Sequence, residues 1–161
     1  MVGLLILVVA LSSALGSVSS FMVLEDSNRE TALAYTAAQR VLEDMQGTHY
    51  REVFRRYNST AADDLPGSPG PDFAVLGLDP QLGDADGMPG RIDLPEFAPG
   101  VLREDVTNAD FGLPRDLNGD GDSDSNDHAL DYVQLPLRVT VQWRGRSGNR
   151  IVELQTVMGA R

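Results

Sequence analysis

The beginning of this chain constrains it most. Residues 1–24, MVGLLILVVALSSALGSVSSFMVL, carry no charged side chain, and the first charges are Glu25 and Asp26. As a helix this segment spans about 36 Å, enough for a hydrocarbon layer of about 30 Å. The next stretch, LEDSNRETALAYTAAQRVLEDMQG, meets no helix breaker until Gly47, which is suited to a C-cap. Within it Ala34, Ala37, Ala38, Val41, Leu42 and Met45 recur at spacings of three and four, while Glu30, Arg40, Glu43 and Asp44 lie mainly off that stripe. The two segments read as one helix of about 45 residues, near 68 Å long. A helix of that length must leave the domain it belongs to, and its apolar first half needs lipid or neighbouring subunits to cover it.

Two other readings compete for residues 1–24. A cleaved signal peptide would carry a basic n-region, which is missing here, although Ala14-Leu15-Gly16 offers a weak cleavage signal. A plain membrane anchor fits the length but not the serines at 12, 13, 17, 19 and 20. Small residues instead suit close helix–helix contact, and Gly16 is the weakest point for helix propensity. The division expected is therefore 1–24 as a membrane or filament-core segment and 25–161 as a globular domain whose amphipathic helix covers 25–46.

Charge excludes one partner class. The net charge is −11, and all 13 basic residues are Arg, so nucleic acid, which needs clustered cations, is not expected. There is no cysteine, hence no disulfide and no thiolate metal site. His49 and His128 are the only histidines, and neither a GxSxG nor an HExxH pattern occurs. Asp93 and Glu96 are near enough in sequence to pair, but nothing singles them out, and no enzyme is expected.

After Gly47, HYREVFRRYN reads as a short amphipathic helix with Tyr50, Val53, Phe54 and Tyr57 on one side; Arg51, Arg55 and Arg56 read as its solvated face. Residues 58–72 hold three prolines and form a loop. FAVLGL (73–78) reads as a strand, and GRIDLPEF (90–97) holds a further short one, bounded by Pro89 and Pro95. The strongest β signal closes the chain: LPLRVTVQW (135–143) and IVELQTVM (151–158) alternate apolar and polar residues around RGRSGN, a hairpin turn. Packing the apolar face of that hairpin on the helix stripe gives an α+β fold, a long N-terminal helix against a C-terminal antiparallel sheet.

The loop DLNGDGDSDSND, residues 116–127, matches the calcium pattern in which ligands occupy positions 1, 3, 5, 7, 9 and 12 with glycine at 6. Those positions hold Asp116, Asn118, Asp120, Asp122 (through its carbonyl), Asp124 and Asp127, and Gly121 stands at 6. Ca²⁺ takes six to eight oxygens at about 2.3–2.6 Å, which alternate residues of a tight loop can supply. Asp replaces the usual Glu at position 12. Gly112 and Pro114 argue against an entering helix, and residues 128–132 suit a single helical turn after the loop. Calcium is thus the expected ion, in a structural role. The weaker echo GDADGMPGRID places Asp84 and Asp86 at positions 1 and 3 but fails at Met88, so it reads as an ordinary turn.

The segment MVGLLILVVALSSALGS resembles the N-terminal helix of type IV pilins and type II secretion pseudopilins, and AAQRVLEDMQG resembles the helix end of their minor subunits. The loop resembles a single calcium repeat of a dockerin. The pilin resemblance implies a structural subunit whose partners are other pilin or pseudopilin subunits and, before assembly, inner-membrane lipid. It also implies a globular domain outside the cytoplasm. The peptidase junction and the glutamate that family members carry beside the Met-Val pair have no counterpart in residues 1–161. An exported calcium-dependent binding module with a cleaved signal peptide is the alternative.

Overall fold

The computed structural model describes the backbone of residues 2–146 and 148–160, and the side chains of these except residues 2 and 4–20. One helix, α1 (Val2–Gly47), runs for 46 residues, about 69 Å at 1.5 Å per residue. Its C-terminal half docks on the body: Ala34, Ala38 and Met45 are fully buried, with Leu33, Ala37, Val41 and Leu42 packed beside them. This is the stripe expected from spacing. Among the described residues, the outermost polar ties are Asp26 with Arg146 (2.8 Å) and the Trp143 indole N–H donating to Glu30 (3.1 Å). Phe21, Met22 and Leu24, just beyond those ties, are 77, 59 and 60 % exposed, so the apolar surface continues off the domain.

Helix α2 (Tyr50–Tyr57) buries Val53, Phe54 and Tyr57 on one side, as its sequence spacing demands. Its arginines are engaged locally, Arg56 with Glu52 and Arg55 with the Asp63 carbonyl. The Tyr132 hydroxyl crosses the first turn of α2, accepting from the Phe54 N–H and donating to the Tyr50 carbonyl.

The main sheet is antiparallel throughout, in the order β1 (Asp72–Phe73), β2 (Gly90–Asp93), β5 (Gln134–Gly145), β6 (Gly148–Gly159). The long β5–β6 hairpin pairs in unbroken register from Gln134↔Gly159 to Gly145↔Gly148. Leu135, Leu137, Val139, Val141 and Trp143 of β5 face α1 and are buried, whereas β6, an edge strand, alternates between half-buried and exposed. A second two-stranded ribbon, β3 (Glu96–Ala98) with β4 (Val101–Leu102), lies apart from it. The α+β arrangement of a long helix on an antiparallel sheet is therefore present.

Two local expectations need correction, and a third needs completion. The strand expected over 73–78 ends at Phe73: Leu78 N–H closes a turn onto the Val75 carbonyl, Gly77 has φ +88°, and Leu76 is 96 % exposed. Val75 and Leu78 are buried as turn residues, so their apolarity marks core contact and not strand pairing. The short strand expected between Pro89 and Pro95 is present as β2, but a second strand, β3, follows Pro95 and belongs to the other sheet. The final hairpin is longer than alternation indicated, because pairing continues through Arg144↔Asn149 and leaves only residues 146 and 147 between the strands. Among the described residues no helix is long and apolar enough to cross a membrane. The membrane expectation rests on residues 1–24, whose side chains lie mostly outside the described residues.

Candidate metal centre

Five aspartates within twelve residues repel one another, so the loop at 116–127 needs donors. Its own backbone supplies many. Asp116 accepts from the N–H groups of Gly119 (2.5 Å) and Gly121 (2.8 Å), Asn118 Oδ1 from Asp120 N–H, and Asp120 Oδ1 from Asp122 N–H. The chain can close this tightly because Gly121 has φ +93°, a left-handed value that a side chain would strain. These local bonds fold the first half of the loop into a tight turn, but among the described residues the carboxylates of Asp116, Asp120 and Asp122 do not converge with a third acidic group on one point. Oxygen-only donors in that half fit a hard cation.

The second half departs from the pattern. The Asp127 carboxylate accepts from Leu102 N–H (3.0 Å) of β4 and from Ala129 N–H (3.1 Å), so it ties the loop to the ribbon. The Asp122 carboxylate is exposed and accepts only from the next residue's N–H. Asp124 bonds instead to His128, whose Nε2 lies 3.0 Å from its Oδ1. Residues 128–132 form the single helical turn expected, with Tyr132 N–H bonding to the His128 carbonyl. Asp84 and Asp86 instead line a groove with Asp72, Arg91 and Asp93, and Asp86 caps its own turn through Met88 N–H.

Sequence reasoning missed Glu104. Its side chain is 1 % exposed, and its Oε1 accepts from the N–H groups of Leu117 (2.6 Å) and Asn118 (2.9 Å). A third donor, Asp124 N–H, reaches Oε2 at 3.4 Å. The Glu104 backbone joins in, its carbonyl accepting from Arg115 N–H, and Asp105 N–H donates to the Asp124 carbonyl. Glu104 therefore holds the underside of the acidic loop. A faint signal was present: in VLRED, Leu102 and Glu104 are two apart, so in extended chain they share a face, and Leu102 is fully buried.

These connections assemble a compact cluster. Single ligand atoms of Glu104, Asp124 and His128 all lie within 4.8 Å of one another. His128 is itself buried, with Nε2 3.0 Å from Asp124 and 3.8 Å from Glu104, and its Nδ1 3.0 Å from Asp131 on the outer side. Burial opposes protonation of this ring, but the bonds to Asp124 and Asp131 and the Glu104 charge outweigh it, and its pKa is raised. The Asn126 N–H, followed by His128, holds the Asp124 carboxyl below its ordinary value, and the Asn118 amide and Asp122 N–H do the same for Asp120. A site of two buried groups and one partly exposed carboxylate can bind a cation from one open side. No protein-family model matches this chain, and no curated protein or solved structure matches it either.

Proposed function

We propose that this protein is a structural subunit of a type IV pilus-like or pseudopilus-like filament, with an outer domain stabilised by calcium. The observation that carries this reading is the helix α1, whose C-terminal half is docked while Phe21, Met22 and Leu24 stand bare at the edge of the body. Together with the uncharged sequence of residues 1–24, that surface asks for a hydrophobic surrounding. Membrane lipid before assembly and the helices of sibling subunits afterwards supply it. The small residues of that segment permit close helix contact. The acidic domain, carrying eighteen of the 24 carboxylates after residue 60, then faces outward.

Calcium serves the outer domain. Asp116, Asn118 and Asp120 with the Asp122 carbonyl provide the oxygen set of the folded half-loop, and Asp124 and Asp127 complete the sequence pattern. When bound, the ion neutralises a loop that has no lysine or arginine within its twelve residues. It stabilises the connection from β4 to β5, since an ion that binds only the folded state shifts unfolding by mass action.

Two experiments test the two halves. The chain is free of cysteine, so Phe21→Cys or Leu24→Cys gives a single thiol. Oxidation in the producing cells should yield covalent dimers at these positions, and none at Arg91→Cys on the domain surface. Exclusively monomeric product at 21 and 24, or a mature chain starting after Gly16, rejects the filament reading and favours the exported module. For calcium, the thermal midpoint should fall on adding EGTA, and Asp120→Ala should remove that response. An unchanged midpoint at millimolar calcium rejects the structural ion.

A further inference from the structure

We propose that Glu104, Asp124 and His128 form a second cation site, selective for a divalent transition ion of the zinc class and distinct from the calcium half-loop. The ligand type sets the class. Imidazole favours zinc, copper, nickel and iron, whereas calcium and magnesium take oxygen donors. The half-loop at Asp116, Asn118 and Asp120 offers oxygen alone, and the neighbouring cluster offers one imidazole nitrogen and two carboxylates.

The two separations from His128 agree with a small ion. Zinc bonds to nitrogen and oxygen at about 2.0–2.1 Å, so tetrahedral ligands stand about 3.3 Å apart. The Nε2 of His128 is 3.0 Å from Asp124 Oδ1 and 3.8 Å from Glu104 Oε2, which brackets that separation. The ligand atoms of Glu104 and Asp124 stand within 4.8 Å of each other, so binding would draw them together.

An independent observation concerns Glu104. Its side chain is 99 % buried, yet its Oε2 has only the Asp124 N–H at 3.4 Å, beyond the 2.7–3.2 Å range of good N–H···O bonds. That oxygen faces the His128 Nε2, and among the described residues His128 is the sole cationic side chain within ion-pair distance of it. A buried carboxylate with one weakly served oxygen is costly unless a cation completes it. Ring orientation is also prepared. His128 Nδ1 donates to Asp131 at 3.0 Å, the outer carboxylate partner that fixes the tautomer of metal-bound histidines and leaves Nε2 to face the ion. Asp124, 38 % exposed, leaves the entry side open, where water fills the fourth position. On binding, Nε2 gives up its proton and the zinc takes its place between the two carboxylates. Asp124 belongs to both ion environments, so the two sites lean on one loop.

The probe is zinc alone, titrated into the full chain at pH 7.5 in a calcium-containing buffer, with the thermal midpoint and calorimetric binding as readouts. Cobalt(II) replaces zinc for visible absorption, whose intensity reports low-coordinate nitrogen and oxygen ligation. Zinc should raise the midpoint and bind at one equivalent, and His128→Gln should abolish both effects. Asp131→Asn alters a half-exposed residue outside the cluster, keeps the fold, and should weaken zinc 10–100-fold. His49→Gln should leave zinc binding unchanged. Absence of a one-equivalent zinc response, or a response that survives in both His128→Gln and Asp131→Asn, overturns the site and assigns the cluster to an internal imidazolium–carboxylate network. Asp120→Ala separates the two readings, because it should remove the calcium response while leaving zinc binding in place.

Discussion

Glu104→Ala offers the sharpest test of how the acidic loop is held. The carboxylate takes two short bonds, from Leu117 N–H at 2.6 Å and Asn118 N–H at 2.9 Å, and a longer one from Asp124 N–H at 3.4 Å. Bonds to a charged acceptor contribute about 1.5–3 kcal/mol each, and donors left unpaired in the interior cost about 1–3 kcal/mol. Leu117 is fully buried, so water cannot readily replace the lost acceptor there. The relief of repulsion from removing one negative charge beside Asp124 offsets part of this. The net expected loss is about 3–5 kcal/mol, the usual range for breaking a buried charged network. Glu104→Gln keeps one oxygen for Leu117 and Asn118 but turns an amide N–H₂ toward Asp124 N–H, so it should lose about half as much. Urea unfolding with chelator present, followed through the single tryptophan, measures both. Trp143 of β5 is 1 % exposed and packs against α1, so its emission reports the core. A Glu104→Ala variant within about 1 kcal/mol of the parent, at unchanged denaturant slope, would refute the reasoning. The loop would then be held by Asp127, by Asp124 with His128, by the backbone bonds of residues 104 and 105, and by its own turns.

Other contacts make independent predictions. Burial pushes the Tyr132 phenol up to about 12, against the relief given by Phe54 N–H, and burial with the neighbouring Tyr132 raises Tyr50 further. The folded state therefore keeps protons that the unfolded chain loses near pH 10, so stability should fall as pH rises from about 10 to 12. Tyr132→Phe should flatten that decline in an alkaline melting series, and should lower stability at pH 7 by about 1–2 kcal/mol through the lost bridge across α2. Gly90→Ala places a methyl into the Phe73 ring, which lies directly over the glycine where β1 pairs with β2. Overpacking there should cost about 1–3 kcal/mol in urea unfolding. Glu30→Ala removes the acceptor of the Trp143 indole N–H, and should red-shift the fluorescence while lowering the thermal midpoint by a few degrees, about 1 kcal/mol.

What could be read in the sequence follows periodicity. The α1 stripe and the β5 alternation are long, so their phase is set many times over, and the structure buries Ala34, Ala38, Met45, Leu137, Val139, Val141 and Trp143. Short segments give no such repetition. FAVLGL is as apolar as a strand, yet Gly77 bends it into a turn, and Val75 and Leu78 bury without pairing. The folded half of the loop was visible for a different reason. Asp116, Asn118 and Asp120 act on N–H groups two to five residues ahead, so local spacing contains the geometry. Glu104 stands twelve residues before the loop, and its role depends on where the β3–β4 ribbon lies. A buried glutamate looks in sequence like any surface one; only the i, i+2 relation to Leu102 hinted at it.

That difference bears on how the loop works. Asp116, Asn118 and Asp120 satisfy their oxygens from within, so their turns persist if the loop swings away from the body. Asp124, Asp127 and Glu104 reach across chain, to His128, Leu102 and Leu117, and these bonds exist only while the loop is seated. The first group forms a self-contained turn, and the second fastens that turn to β4 and to the turn at His128. A cation at the half-loop would lower repulsion among the aspartates in either state, whereas a cation at Glu104, Asp124 and His128 would act on the seated state alone. Differential binding to one of two states is what shifts their balance. Zinc should therefore slow amide exchange at Leu102, Leu117 and Val133, whose N–H groups close the seated loop, while calcium should protect chiefly Gly119, Gly121 and Asp122. Equal protection of both sets by either ion would show the loop to be one cooperative unit with one cation environment.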